Sequence, residues 1–143
     1  MILLRTAGLA LALVAGTIPA EAKLMLFGGT GHDEYLGCLD CSEYATDSIC
    51  NEFGSHGSEF ASDSIFNEFG TYGSEFSSKS PWNAFTSSKD VPVLVDEDGG
   101  FYGYFTINQF RSDAVGFAAD LYTLYDRVDG ELELVQKLLC GAF

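Results

Sequence analysis

Hydrophobic and polar positions divide the chain into four stretches of different period. Residues 6–18 are a continuous apolar run, rich in Ala, Leu and Val. From Ser42 to Lys89 the pattern repeats every 16 residues: SEYATDSICNEFGSHG, then SEFASDSIFNEFGTYG, then SEFSSKSPWNAFTSSK. The first two units agree at 11 of 16 positions, and the third has degenerated as a terminal repeat does on meeting a different element. Val91–Val95 is β-branched and apolar, Asp96-Glu97-Asp98-Gly99-Gly100 is a turn signal, and Phe101–Ile107 is β-prone, which predicts a β-hairpin. Phe117, Leu121, Leu124 and Val128 recur at helical spacing behind a cap at Ser112 or Asp113. Asp129-Gly130 breaks that helix, and Leu132, Val135, Leu138 and Leu139 predict a second one ending near Gly141.

The repeats interpret one another. Ser80 precedes Pro81, the order of an N-cap and a first helical residue, and Ser48 and Ser64 align with it. Gly54 and Gly70 stand where a helix ends on a left-handed residue. Short helical turns are therefore expected at 49–53, 65–69 and 81–85, with Ile65, Phe66 and Phe69 on one side. The rings of the block are expected to stack into a small core. The alternative is a presented aromatic surface, with Tyr72 and Trp82 as candidates for stacking on a sugar or peptide. Together these elements predict one small α+β domain: a block of short helical-turn repeats (42–89), one β-hairpin (90–110) and two C-terminal helices (111–143).

The leader changes the cellular picture. Arg5, the apolar run and Ala20-Glu21-Ala22 make a secretory signal peptide with cleavage before Lys23. The run is short for a membrane span, which takes about 20 residues. The expected product is residues 23–143, secreted or periplasmic and without an integral membrane segment. Its net charge is −14, which disfavours nucleic acid, because phosphate contacts need Lys and Arg. A cell-envelope, cationic or protein partner fits that charge better. The 12 Phe and 7 Tyr argue against disorder.

Export places Cys38, Cys41, Cys50 and Cys140 in an oxidising compartment, where disulfides form, and the four allow three connectivities. Cys50 occupies the register of Phe66 and Trp82, so it should point inward. A bridge from Cys140 to the N-terminal cysteines would close nearly the whole domain. A zinc site is the second reading, with His32, Cys38, Cys41 and Cys50 as a Cys3His set. A redox-active Cys38-x-x-Cys41 is the third, although no long apolar strand is evident before it. Gly28-Gly29-Thr30-Gly31 lacks the Lys-Ser/Thr of a phosphate loop and reads as a flexible lead-in. Asp96 and Asp98 fail the EF-hand pattern, since Gly100 and Phe101 follow where a ligand and a glycine belong. Glu43, Glu59 and Glu75 recur in register, solvated or as a carboxylate ladder for a cation. No nucleophile elbow or metalloprotease helix is present, which points away from an enzyme.

HDEYLGCLDC, the S-I-C-N-E-F-G and S-I-F-N-E-F-G-T-Y-G-S-E-F units, S-P-W-N and V-D-E-D-G-G-F-Y-G-Y-F-T together resemble a group of small exported bacterial proteins. In that group S-I-x-N-x-(F/Y)-G-x-Y-G-S-x-(F/Y) repeats follow a G-C-L-x-C motif. The resemblance implies export and a repeat block, and supplies no catalytic residues. The function expected is that of a small acidic, disulfide-stabilised binding or structural module.

Overall fold

A computed structural model of the chain describes residues 22–142. Of the proposed leader, residues 1–22, all but Ala22 lie outside the described residues. β1 (Leu24–Gly28), β2 (Glu34–Cys38), β3 (Val93–Asp96) and β4 (Phe101–Tyr104) are followed by α1 (Ala118–Arg127) and α2 (Leu132–Cys140). The strands form one antiparallel sheet in the order β2-β1-β3-β4. The protein is thus a small α+β domain.

The predicted hairpin forms as β3 and β4, but it is only half of the sheet. Gly28-Gly29-Thr30-Gly31 is not a lead-in: it begins the turn between β1 and β2, closed by a bond from the His32 N–H to the Gly29 carbonyl. Gly29 and His32 both have positive φ there. β1 inserts between β2 and β3, so its apolar residues meet partners some 70 positions away, which local pattern does not reveal.

Residues 42–89 form no helical turns. Ala45, Ser48, Asn51 and Gly54 each donate a backbone N–H to the carbonyl three residues back, and so do Ala61, Ser64, Asn67 and Gly70. The chain therefore turns a corner every three residues. The Gly54 and Gly70 carbonyls accept two N–H groups each, from Gly57 and Ser58 and from Gly73 and Ser74. Four steps of three and one of four make one 16-residue coil.

Side chains dictate this path. Ser48, Ser64 and Ser80 accept the N–H of Cys50, Phe66 and Trp82, two residues on. Asn51, Asn67 and Asn83 accept the N–H of Phe53, Phe69 and Phe85, while their amide nitrogens donate to the carbonyls of Ala45, Ala61 and Ser77. Such local bonds compete with helix and favour turns. The serines behave as caps to chains that never become helices. Gly54 and Gly70 are not left-handed. The glycines that the coil requires are Gly57 and Gly73, where an added Cβ would stand 2.1 Å from the Asn51 carbonyl oxygen and 1.9 Å from that of Asn67.

Both ends of the coil are covered. Cys38, at the end of β2, donates to the Asp47 carbonyl and accepts from the Ile49 N–H. At the other end Ile107 donates to the Pro81 carbonyl, and the Asn108 side chain donates to that of Thr86 while accepting the Phe110 N–H. Asn108-Gln109-Phe110 thus repeats the Asn-x-Phe corner on a fourth level, supplied by chain beyond β4. The same three-residue stepping runs on through Arg111 and Ala114, so α1 begins at Ala118 and neither Ser112 nor Asp113 caps it.

Ile49, Ile65, Phe66, Trp82, Leu26, Leu36, Leu94, Phe105, Val135 and Leu139 share one core. Trp82 stacks on Tyr125 of α1 with ring centroids 5.6 Å apart. Tyr72 and His56 pack where β1 and β2 carry Gly28 and Gly37. A Cβ on either glycine would come within 2.8 Å of those side chains.

Candidate functional site: an acidic face set with exposed rings

The cysteines form two disulfides, Cys38–Cys41 and Cys50–Cys140, and none is free. Cys50 stands in the register of Phe66 and Trp82, as the repeat alignment requires, and ties the first coil to the end of α2. The Cys3His set is not brought together. Cys50 is paired with Cys140, and the His32 ring lies 2.6 Å from the Lys89 carbonyl. Cys38, Asp40 and Cys41 do come together, with the two sulfurs bonded to each other. A disulfide sulfur has no thiolate charge to offer a metal. The Cys-x-x-Cys lies at the end of β2 with turns after it, without the helix that lowers a thiol pKa in redox motifs.

Tyr72 and Trp82 are not surface residues. Trp82 is 1% exposed and Tyr72 4%, and each polar tip is bonded, the indole to the Ile65 carbonyl and the phenol to Glu34. Burial and the Glu34 carboxylate push the Tyr72 phenol well above its ordinary pKa.

The exposed rings are others. Tyr44, Phe60 and Phe76 occupy one coil position, Phe53, Phe69 and Phe85 another, and Phe110 extends the second row. All seven are between 84% and 94% exposed. A helical period would have placed Phe69 beside Ile65 and Phe66. In a three-residue turn the two central residues point together, so Ile65 and Phe66 go inward and Glu68 and Phe69 go outward.

Five outward turns therefore carry the same pair: Glu43-Tyr44, Glu52-Phe53, Glu59-Phe60, Glu68-Phe69 and Glu75-Phe76. The pairs face a trough whose far wall is α2 and the turn before it. Its largest recess, about 620 Å³, lies between Glu59, Phe60, Glu68 and Phe69 on one side and Glu131, Leu132 and Glu133 on the other. Phe60 is shared with the next recess toward the N-terminal end, Phe69 with the next toward the third coil. Among the described residues Lys137 is the one cation lining these recesses, and it is paired with Glu133 at 3.3 Å. The neighbouring Glu43 carboxylate raises the Tyr44 phenol above its ordinary pKa. Among the described residues Glu43, Glu59 and Glu75 do not converge into a cation ladder.

The Glu-aromatic dipeptide, five times in 34 residues, was the signal for this face in the sequence. Reading the repeat at helical period conceals it.

No protein-family model, curated protein or solved structure matches the chain. Among the described residues no helix is long and apolar enough to cross a membrane, and two disulfides fit an oxidising compartment.

Proposed function

We propose that this protein is an exported, non-enzymatic binding module whose working surface is the face of exposed rings. One observation carries this reading: seven large rings stand 84–94% exposed on corners that the backbone repeats in register. Isolated exposed apolar residues are ordinary, but a contiguous array flanked by polar groups marks an interaction surface. Each ring is held at its base by a Ser or Asn side-chain bond to the backbone, as Phe69 is by Asn67 and Phe60 by Ser58. The array is thus pre-organised, which reduces the ordering cost of binding. The Cys50–Cys140 disulfide ties the first coil to α2, the opposite wall of the trough.

The test is photo-crosslinking in the compartment to which the protein is exported. A benzoyl-phenylalanine in place of Phe60 or Phe69 should give one discrete adduct, absent when the same residue replaces exposed Ser112. Equal labelling from all three positions, or none from the ring positions, would overturn the reading.

A further inference from the structure

We infer that each Glu-aromatic pair is a seat for one basic side chain, and that the trough takes a polycationic, Arg- or Lys-rich polypeptide segment. This rests on the binding-module reading and adds the chemistry of the partner.

The protein uses the same seat twice for its own basic residues. The Arg111 guanidinium lies 3.6 Å from the centroid of the Tyr104 ring, and its Nε stands 2.6 Å from Asp113 Oδ1. Lys23 Nζ lies 5.8 Å from the Tyr35 ring centroid and 2.6 Å from Asp47 Oδ2. In both the charged head lies over a ring and a carboxylate takes its hydrogen bond. Among the described residues no basic side chain is ion-paired with the five outward carboxylates or stacked on their rings. Across the trough Glu131 and Glu133 add negative charge.

The acid stops where the trough stops. At the next two Asn-x-Phe corners the residue before the ring is Ala84 and then Gln109, so Phe85 and Phe110 have exposed rings without the carboxylate. The aspartates at 47 and 63 give way to Lys79 in the third unit. The array therefore has a polyacidic end that attracts cations and a neutral end that does not. Several weak seats on one rigid face bind a repetitive ligand far more tightly than one seat alone.

The experiment titrates the oxidised, mature protein with a short oligo-arginine peptide, its citrulline counterpart and an oligo-lysine peptide. Arginine should bind most tightly, since its planar head stacks and hydrogen-bonds at once, and the uncharged citrulline peptide should not bind. Phe60→Ala with Phe69→Ala should weaken arginine binding about tenfold or more. Glu59→Gln with Glu68→Gln should do the same and flatten the salt dependence. Phe85→Ala with Phe110→Ala should leave it within about twofold. All six side chains are exposed, so the variants should fold, with an unchanged thermal midpoint as the check. If the ring substitutions at 60 and 69 have no effect, attraction is merely acidic and the seat is refuted. Binding of the citrulline peptide, or no binding of the arginine peptide, also refutes it. Discrete crosslinking from the rings alongside either result would leave the binding-module reading standing and remove only the cationic partner.

Discussion

The side-chain nitrogen of Gln136 donates to the backbone carbonyls of Ile49 and Gly57, 2.8 Å to each. One coil later the indole of Trp82 meets the Ile65 carbonyl. The inward corners of the coil leave carbonyls that no neighbouring strand can satisfy, and buried carbonyls left unpaired are costly.

Gln136→Leu would leave both carbonyls without that donor. We expect it to destabilise the domain by about 2–4 kcal/mol in urea denaturation. Gln136→Glu should be as harmful at neutral pH, because a carboxylate cannot donate, and should recover in part as acid protonates it. An unchanged midpoint for Gln136→Leu would show that the carbonyls find other partners.

The two disulfides should differ in weight. Cys50–Cys140 spans 90 residues and Cys38–Cys41 only 3. Loop-closure entropy gives about 4–5 kcal/mol for the long bridge and about 2 kcal/mol for the short one. Paired serine substitutions, Cys50→Ser with Cys140→Ser and Cys38→Ser with Cys41→Ser, should lower stability in that order. The reverse order would mean that the short bridge chiefly holds the covered end of the coil together.

Gly73→Ala should be far worse than Gly116→Ala. An added Cβ at 73 meets the Asn67 carbonyl at 1.9 Å, whereas at 116 nothing lies within 4 Å. We expect a loss of at least about 2 kcal/mol for the first and little change for the second, read from thermal midpoints.

Lys23, Tyr35 and Asp47 form a pH-sensitive brace. The Lys23 ammonium, then the Tyr35 hydroxyl, hold the Asp47 carboxyl below its ordinary pKa. Burial, then the Asp47 carboxylate, pushes the Tyr35 phenol up to about 12. A lowered acid contributes stability present above its unfolded pKa, about 4, and lost as pH falls through the folded one. A raised phenol contributes stability fully present below about pH 10 and lost as pH rises through about 12. Asp47→Asn should therefore move the Tyr35 titration, followed by ultraviolet absorbance, toward ordinary tyrosine. An unmoved titration would leave burial as the sole cause.

The Lys23 backbone nitrogen donates to Glu97 Oε1 at 2.9 Å. Cleavage after Ala22 would make that nitrogen an ammonium facing a carboxylate. The intact mass of the exported protein should begin at Lys23. Its α-amino pKa, read by NMR, should fall on Glu97→Gln. A different N-terminus or an unchanged pKa would remove this contact from the mature protein.

Much of this architecture was legible in order along the chain. The 16-residue repeat, the Asp96 turn and the two C-terminal amphipathic faces are local patterns, and each marks an element of the structure. Ser and Asn at fixed positions bond the backbone two residues on, so the repeat determined its own turns. Cys50 in the register of Phe66 was enough to aim it inward. What the repeat could not determine was which of its turns face the core: packing against the rest of the domain decides that Phe66 goes inward and Phe69 outward. The tertiary structure also decided that β1 enters between β2 and β3, that Cys140 meets Cys50, and that Asn108 adds a fourth corner. These are contacts between residues far apart in sequence, made where the core closes, and no local pattern encodes their partners.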